Sequence, residues 1–199
     1  MSKPVCLNLG QSTLPWVESL DYLGITISSH HNFNIDLTNT RRKFFRTVNQ
    51  ILSKCSHTSD LVKLSLLESY ALPILLYALE SLNLPTSDLI TINTWWNSVY
   101  RKIFQYNKWE SVRLLISYLH RLDFLHLCNL RTISFSQKML DSNRHLISDS
   151  TSFTYYINNT YCSSNECFNI FNKYKCSPSF SFSYNKFLIY YNFNINAIN

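Results

Sequence analysis

The chain has 199 residues, of which 46% are hydrophobic, and its formal net charge is +6. This length suits one ordinary domain with additional segments, or a fragment of something larger. The only two glycines, Gly10 and Gly24, lie near the start, which argues against a glycine-rich phosphate loop anywhere and against a turn-rich β protein. The positive balance permits contact with nucleic acid, but an ordinary basic protein would show it equally.

Targeting signals are not apparent in the sequence. The first 20 residues lack a continuous apolar core, so a secretory signal is not predicted. The uncharged run Ser69–Leu79 is far shorter than the roughly 20 residues that span a bilayer. We therefore expect an intracellular protein, in the nucleus or the cytoplasm, with free thiols and no membrane partner.

Residues 1–33 are predicted to form a small β segment. Short apolar runs at Val5–Leu9 and Trp16–Ile27 are bounded by glycine or proline, as strands often are. Gly24 is interpreted as a bulge or a point of close backbone approach. These strands are too few for a stable sheet of their own, so we expect the edge of a larger one.

Residues 34–147 are predicted to form a helical bundle, which makes the fold class mainly α. Apolar residues recur three or four apart through most of this region, which is the spacing of an amphipathic helix. The predicted helices cover residues 35–54, 61–84, 88–105, 110–121 and 124–144.

The stretch Leu61–Leu84 is the most apolar of these and is expected to lie at the centre of the bundle. Its buried stripe should run from Leu64 to Leu82, and Leu66, Tyr70 and Tyr77 should widen it. Pro73 removes one backbone hydrogen bond and should bend or loosen the helix.

Residues 148–199 are rich in Ser, Asn, Tyr and Phe and show no helical period. This composition predicts a low-complexity, mostly disordered tail. Cys162, Cys167 and Cys176 are the only cluster there with metal-like spacing, but the spacing is loose and no fourth ligand follows. We therefore predict no metal site.

Catalytic patterns are also lacking. The acidic residues are scattered singly, with no Asp-Asp pair, Asp-x-Asp or His-Glu-x-x-His motif.

The first predicted helix of the bundle is more informative, because its polar face is rich in side chains that can contact phosphates: Arg42, Lys43, Arg46, Asn49, Gln50 and Lys54. Helix geometry alone favours a polar face of this helix that contacts only solvent over one that binds phosphates. Trp96 is predicted to be core, and Trp95 to be either core or a stacking surface.

Several successive segments resemble reverse transcriptases of LINE-type (non-LTR) retrotransposons, in order and in approximate spacing. They are DYLGITI, RRKFFRTVNQIL, LVKLSLLESYALPILLYALESL, LITINTWWNSVYRKIFQYNKWESVR and the weaker RTISFSQKML, and the resemblance covers about residues 2–140. It implies the end of the palm with the primer grip, followed by the thumb that clamps the template–primer duplex. Within the primer grip, Tyr22 and Gly24 would contact nucleic acid, and within the thumb Arg42, Lys43, Arg46, Asn49 and Lys54 would do so.

The same resemblance implies what the chain lacks. Family members hold Mg²⁺ on palm carboxylates that have no counterpart in this sequence, so we predict no cofactor, no catalytic residue and no polymerase activity for this chain, which is expected to be truncated. Its remaining role would be weak, sequence-independent binding of an RNA or RNA–DNA duplex. The alternatives are a helical protein-interaction module that uses an exposed strand edge, and a transposon relic without molecular function.

Overall fold

A computed structural model describes residues 7–10, 12–14, 16–29, 33–82 and 84–140 of the chain. The protein is mainly helical, with small antiparallel sheets preceding the helices, as predicted. The strands are β1 (Leu7–Leu9), β2 (Ser12–Leu14), β3 (Ser19–Tyr22), β4 (Ile25–Ser29) and β5 (Phe33–Asp36). The helices are α1 (Thr38–Lys54), α2 (Asp60–Tyr70), α3 (Leu72–Leu76), α4 (Thr86–Phe104), α5 (Arg113–Tyr118) and α6 (Phe124–Leu140). The predicted disordered tail and the Cys162–Cys176 cluster lie outside the described residues.

The strands form two separate antiparallel units. β1 pairs with β2, and β3, β4 and β5 form a three-stranded sheet with β4 in the middle. β5 was not expected, because the prediction began a helix at residue 35. Ile35 instead pairs with Ile27 on β4, and the helix starts only after the Asp36 carboxylate accepts a hydrogen bond from the Thr38 backbone N–H at 2.8 Å.

Gly24 belongs to a tight turn rather than to a bulge. Tyr22 pairs with Ile25, so Leu23 and Gly24 alone connect β3 to β4. Both have positive φ, 49° and 79°, the pattern of a two-residue type I′ hairpin turn. A Cβ on Gly24 would meet nothing within 4 Å, so the backbone dihedral requires glycine here and crowding does not.

The predicted helix Leu61–Leu84 is two helices and a turn. Pro73 has no N–H to donate to the preceding turn, and the helix is interrupted at Ala71. α3 then ends at Leu76 because Tyr77 is extended and Ala78 has a φ of +58°. The prediction of a helix continuing to Leu84 was therefore wrong, although the expected disturbance at Pro73 is confirmed.

The buried stripe of this region is narrower than predicted. Leu64, Leu67 and Ala71 are buried as expected. Tyr70 and Tyr77 were predicted to widen the stripe, but they are 64% and 55% exposed. Tyr70 projects about 90° away from the stripe by helical periodicity, and Tyr77 follows the end of α3.

One apolar core joins the helices. α1 contributes Phe44 and Val48, whose spacing matches the predicted inner face, and α4 contributes Trp96 and Tyr100. Trp96 is 1% exposed, which confirms its prediction as core. α6 starts at a cap, where the Asp123 carboxylate accepts the backbone N–H of His126 at 2.8 Å.

Candidate nucleic-acid interface

The outer surface of α1 carries the predicted phosphate-binding residues, and all of them are exposed. The six are Arg42, Lys43, Arg46, Asn49, Gln50 and Lys54. At 100° per residue, Arg42 and Arg46 share one stripe that adjoins Asn49. Lys43 and Lys54 lie on a second stripe about 90° further round the helix. The predicted face is therefore two adjacent cationic rows rather than a single one.

A further donor comes from α4. The ammonium group of Lys102 donates a hydrogen bond to the side-chain oxygen of Asn49 at 2.8 Å. This bond leaves the Asn49 amide N–H groups available and adds the charge of Lys102 to the row of Arg42 and Arg46. Lys102 could not be predicted as part of this surface, because 53 residues separate it from Asn49 and no local pattern links them.

Arg41 and Trp95 form a second contact between the same two helices. The Arg41 guanidinium carbon lies 5.8 Å from the Trp95 ring centroid, within cation–π range. Phe45 meets the same indole edge-on, at 6.4 Å between centroids. Since Arg41 meets Trp95, and Asn49 meets Lys102 further along both helices, α1 and α4 run side by side in the same direction. Trp95, which the sequence left as either core or stacking surface, is half-buried at this seam.

The β3–β4 turn is fixed to the helical part of the molecule. The Tyr77 hydroxyl donates to the Leu23 backbone oxygen at 3.1 Å, and the side chain of Asn39 on α1 donates to the Thr26 hydroxyl at 3.4 Å. Asn39 lies three residues before Arg42, on the same outer stripe of α1. The predicted residues Tyr22 and Gly24, both exposed, therefore sit on a turn whose sheet adjoins the N-terminal end of the cationic row.

The described residues were compared with the requirements of a metal site. Within the described residues, no three His, Cys, Asp or Glu side chains are grouped so that they could hold a metal ion. The residues present there do not fit the Mg²⁺ site that the resemblance would imply for a complete polymerase. The predicted lack of a cofactor and of a catalytic residue stays a prediction.

Two acidic groups sit at the starts of the helices that carry the cationic residues. Hydrogen bonds from the side chain and the backbone of Thr38 hold the pKa of Asp36 below its usual value, so this carboxylate stays charged beside the start of α1. Asp88 lies in the first turn of α4, on the flank that carries Trp95. The outer stripe from Asn39 to Asn49 contains no acidic residue, and its charge is therefore uniformly positive.

Comparisons of the chain with protein-family models, with characterised proteins and with solved structures gave no match. Among the described helices, none is long and apolar enough to cross a membrane. The candidate interface therefore rests on the chain's own geometry and charge.

Proposed function

We propose that this chain is the primer-grip and thumb portion of a LINE-type reverse transcriptase, and that it binds RNA or RNA–DNA duplexes without reading their sequence. The protein would do this inside the cell, by gripping the phosphate backbone. It carries out no nucleotide transfer in this proposal, because the carboxylates for that chemistry are not among its residues.

The observation that carries the proposal is the continuous cationic row along α1. Arg42 and Arg46 project from one stripe, and Lys102 joins them through Asn49 at 2.8 Å. Cations and amides spaced along a rigid helix suit the regular phosphates of a duplex, and such contacts position a protein without specifying bases. Burial of Phe44 and Val48 on the opposite face supports the row, because it fixes how α1 rotates about its own axis.

Salt dependence of duplex binding tests this proposal. Binding of a fluorescent RNA–DNA duplex is measured by anisotropy between low and moderate salt, for the full chain and for an Arg42→Glu/Arg46→Glu variant. Each lost phosphate contact should reduce the slope of log affinity against log salt by about 1, so the variant should lose about 2. The matched control is Lys108→Glu/Lys138→Glu, which changes two exposed lysines outside α1 and alters the net charge equally.

Two results would count against duplex binding. One is an unmodified chain that fails to bind the duplex at low salt. The other is a control variant that loses as much affinity and slope as the α1 variant, since net charge alone would then explain the binding.

An interaction module is the second candidate, and the exposed end of the sheet favours it. Trp16, Val17, Leu20, Tyr22 and Leu23 are all more than half exposed, and among the described strands β3 lies at an edge of its sheet. Apolar side chains around an open strand edge are typical of surfaces that pair with another chain. This function predicts a complex of fixed stoichiometry that survives high salt and is lost in Leu20→Lys, whereas duplex binding should tolerate that change.

A further inference from the structure

We propose that the cleft between the starts of α1 and α4 binds one unpaired nucleobase and prefers guanine. The inference rests on the proposed function, because the strand that supplies the base would be held on the cationic row of α1. The cleft is lined by residues that the duplex-binding surface does not use, among them Trp95, Asp88 and Thr91.

The cleft has the size of a small ligand site. Its volume is about 280 Å³, just under the roughly 300 Å³ at which pockets for drug-sized ligands begin, so it suits a single base. It opens between Thr38 and Arg41 on α1 and Asp88 to Trp95 on α4. Thr38 at the edge of the cleft lies one helical turn before Arg42, so a backbone held on the outer stripe passes next to the opening.

Trp95 provides the stacking surface, and a base that stacks there moves the Arg41 guanidinium, now 5.8 Å from the ring centroid, off the ring face. Trp95 is half-buried and braced by Phe45, whose ring meets it edge-on at 6.4 Å, so the indole is held in place. A preorganised indole loses little conformational freedom when a base stacks on it, and every base has a face that can stack. Stacking therefore provides affinity for any unpaired base.

Hydrogen-bonding groups at the edge of the cleft provide the preference. Within the described part of the chain the Asp88 carboxylate has no hydrogen-bond partner, whereas Asp36 is engaged by Thr38 and the Thr91 hydroxyl donates to Ser87. Arg41 has no carboxylate partner among the described residues, and its charge rests against the Trp95 ring. The cleft thus offers the Asp88 carboxylate and the second oxygen of Asp36 as acceptors, and the Arg41 guanidinium as a set of donors.

Guanine complements Asp88 and Arg41 at once. Its N1–H and N2–H donors can face the Asp88 carboxylate, while its O6 and N7 acceptors can face the Arg41 guanidinium. Adenine, cytosine and uracil each offer only part of this pattern. The negative charge of Asp88 also keeps phosphate groups out of the cleft, so the backbone stays outside on α1.

The test uses duplexes with a short single-stranded overhang that contains one guanine, inosine or adenine among pyrimidines, made with ribose and with deoxyribose. Affinities are measured by anisotropy beside a blunt duplex of the same sequence. Guanine should bind about 10-fold more tightly than inosine, which lacks the N2 amino group, and Asp88→Asn should remove this difference. Ribose and deoxyribose overhangs should show the same preference, because the contacts are made to the base.

Trp95 variants separate stacking from the edge contacts. Trp95→Leu should weaken binding of every overhang by about 10-fold and leave blunt-duplex binding unchanged, while Trp95→Phe should restore most of the loss. Trp109→Leu is the matched control, since Trp109 is exposed and lies outside the cleft. Circular dichroism and thermal melting establish that each variant is folded.

The outcomes of the two proposals are distinct. Equal affinity for guanine, inosine and adenine, with blunt-duplex binding intact, would overturn the base site alone. A guanine preference without blunt-duplex binding would support the base site and overturn duplex binding. Failure to bind any of these oligonucleotides would overturn both.

Discussion

The ion pair between Glu68 and Arg121 links α2 to the loop before α6, and Arg121→Met is expected to destabilise the protein in a pH-dependent way. The Arg121 Nε lies 2.9 Å from the Glu68 Oε1, and the side chains are 39% and 23% exposed. In the variant, the Glu68 carboxylate stays in a partly apolar cleft beside Leu72 and Trp96 without its counter-charge.

The expected cost follows from this partial burial. Fully exposed pairs contribute about 0–1 kcal/mol, while removing one partner from a buried pair costs about 3–5 kcal/mol. Because solvent screens the more exposed Arg121, we expect a loss of about 1–2 kcal/mol near neutral pH. Lys63→Met is the matched control, because it removes the local i,i+3 pair with Asp60 and should cost less than about 0.5 kcal/mol.

The pH dependence has a definite sign. Burial raises the pKa of Glu68 above its usual value, and the nearby Arg121 charge and hydrogen bond oppose that rise. The folded state therefore binds a proton more tightly than the unfolded chain, so the stability contribution of Glu68 is greatest below the unfolded pKa and falls as pH rises through the folded pKa. Without Arg121 the folded pKa rises further, and the loss of stability should shrink as the pH is lowered and Glu68 becomes protonated.

Urea denaturation followed by circular dichroism, at several pH values from 4 to 8, measures this effect. Glu68→Gln should reduce the pH dependence in that window, and the double variant Glu68→Gln/Arg121→Met should be less pH-dependent than Arg121→Met alone. An Arg121→Met variant as stable as the unmodified protein at neutral pH, or one whose deficit grows on acidification, would refute this reasoning.

The aromatic core, the β3–β4 turn and the α6 thiol provide further tests. Phe44→Ala should cost about 3–5 kcal/mol in urea denaturation, because Phe44 is fully buried, and a loss no larger than that of Phe45→Ala would contradict its central place. Gly24→Ala should cost about 1 kcal/mol through its φ of +79° alone, and an unchanged melting temperature would speak against the type I′ turn. Burial first, and then the charge of Asp123, raises the pKa of the Cys128 thiol to about 12. Alkylation of the native protein at pH 8, followed by peptide mapping, should therefore find Cys55 labelled and Cys128 protected until urea is added. Equal labelling of the two thiols would contradict that burial.

Local periodicity was enough to predict much of the helical part. The apolar spacing of α1 and α4 gave both helices to within three residues and identified Phe44, Val48 and Trp96 as inward-facing. Such periodicity fixes which face of a helix is buried, and so it also placed the cationic residues Arg42 and Arg46 on the outside.

The features that sequence reasoning missed depend on contacts between distant segments. Phe33–Asp36 becomes a strand because β4 pairs with it, which residue preference alone did not indicate. Lys102 joins the cationic row, and Arg41 reaches Trp95, only because α1 and α4 lie side by side. The early end of α3 depends on a left-handed Ala78, a conformation that alanine rarely adopts.

Leu23 at the tip of the β3–β4 turn is a leucine in a conformation that favours asparagine or glycine. Its φ is +49° and its side chain is 69% exposed, so no burial offsets the strain of roughly 1 kcal/mol or more. Leu23→Asn should therefore make the protein more stable. Leu23 therefore lowers the stability of the turn through its backbone conformation and gains nothing from burial of its side chain, so this position can be exchanged without disturbing the core.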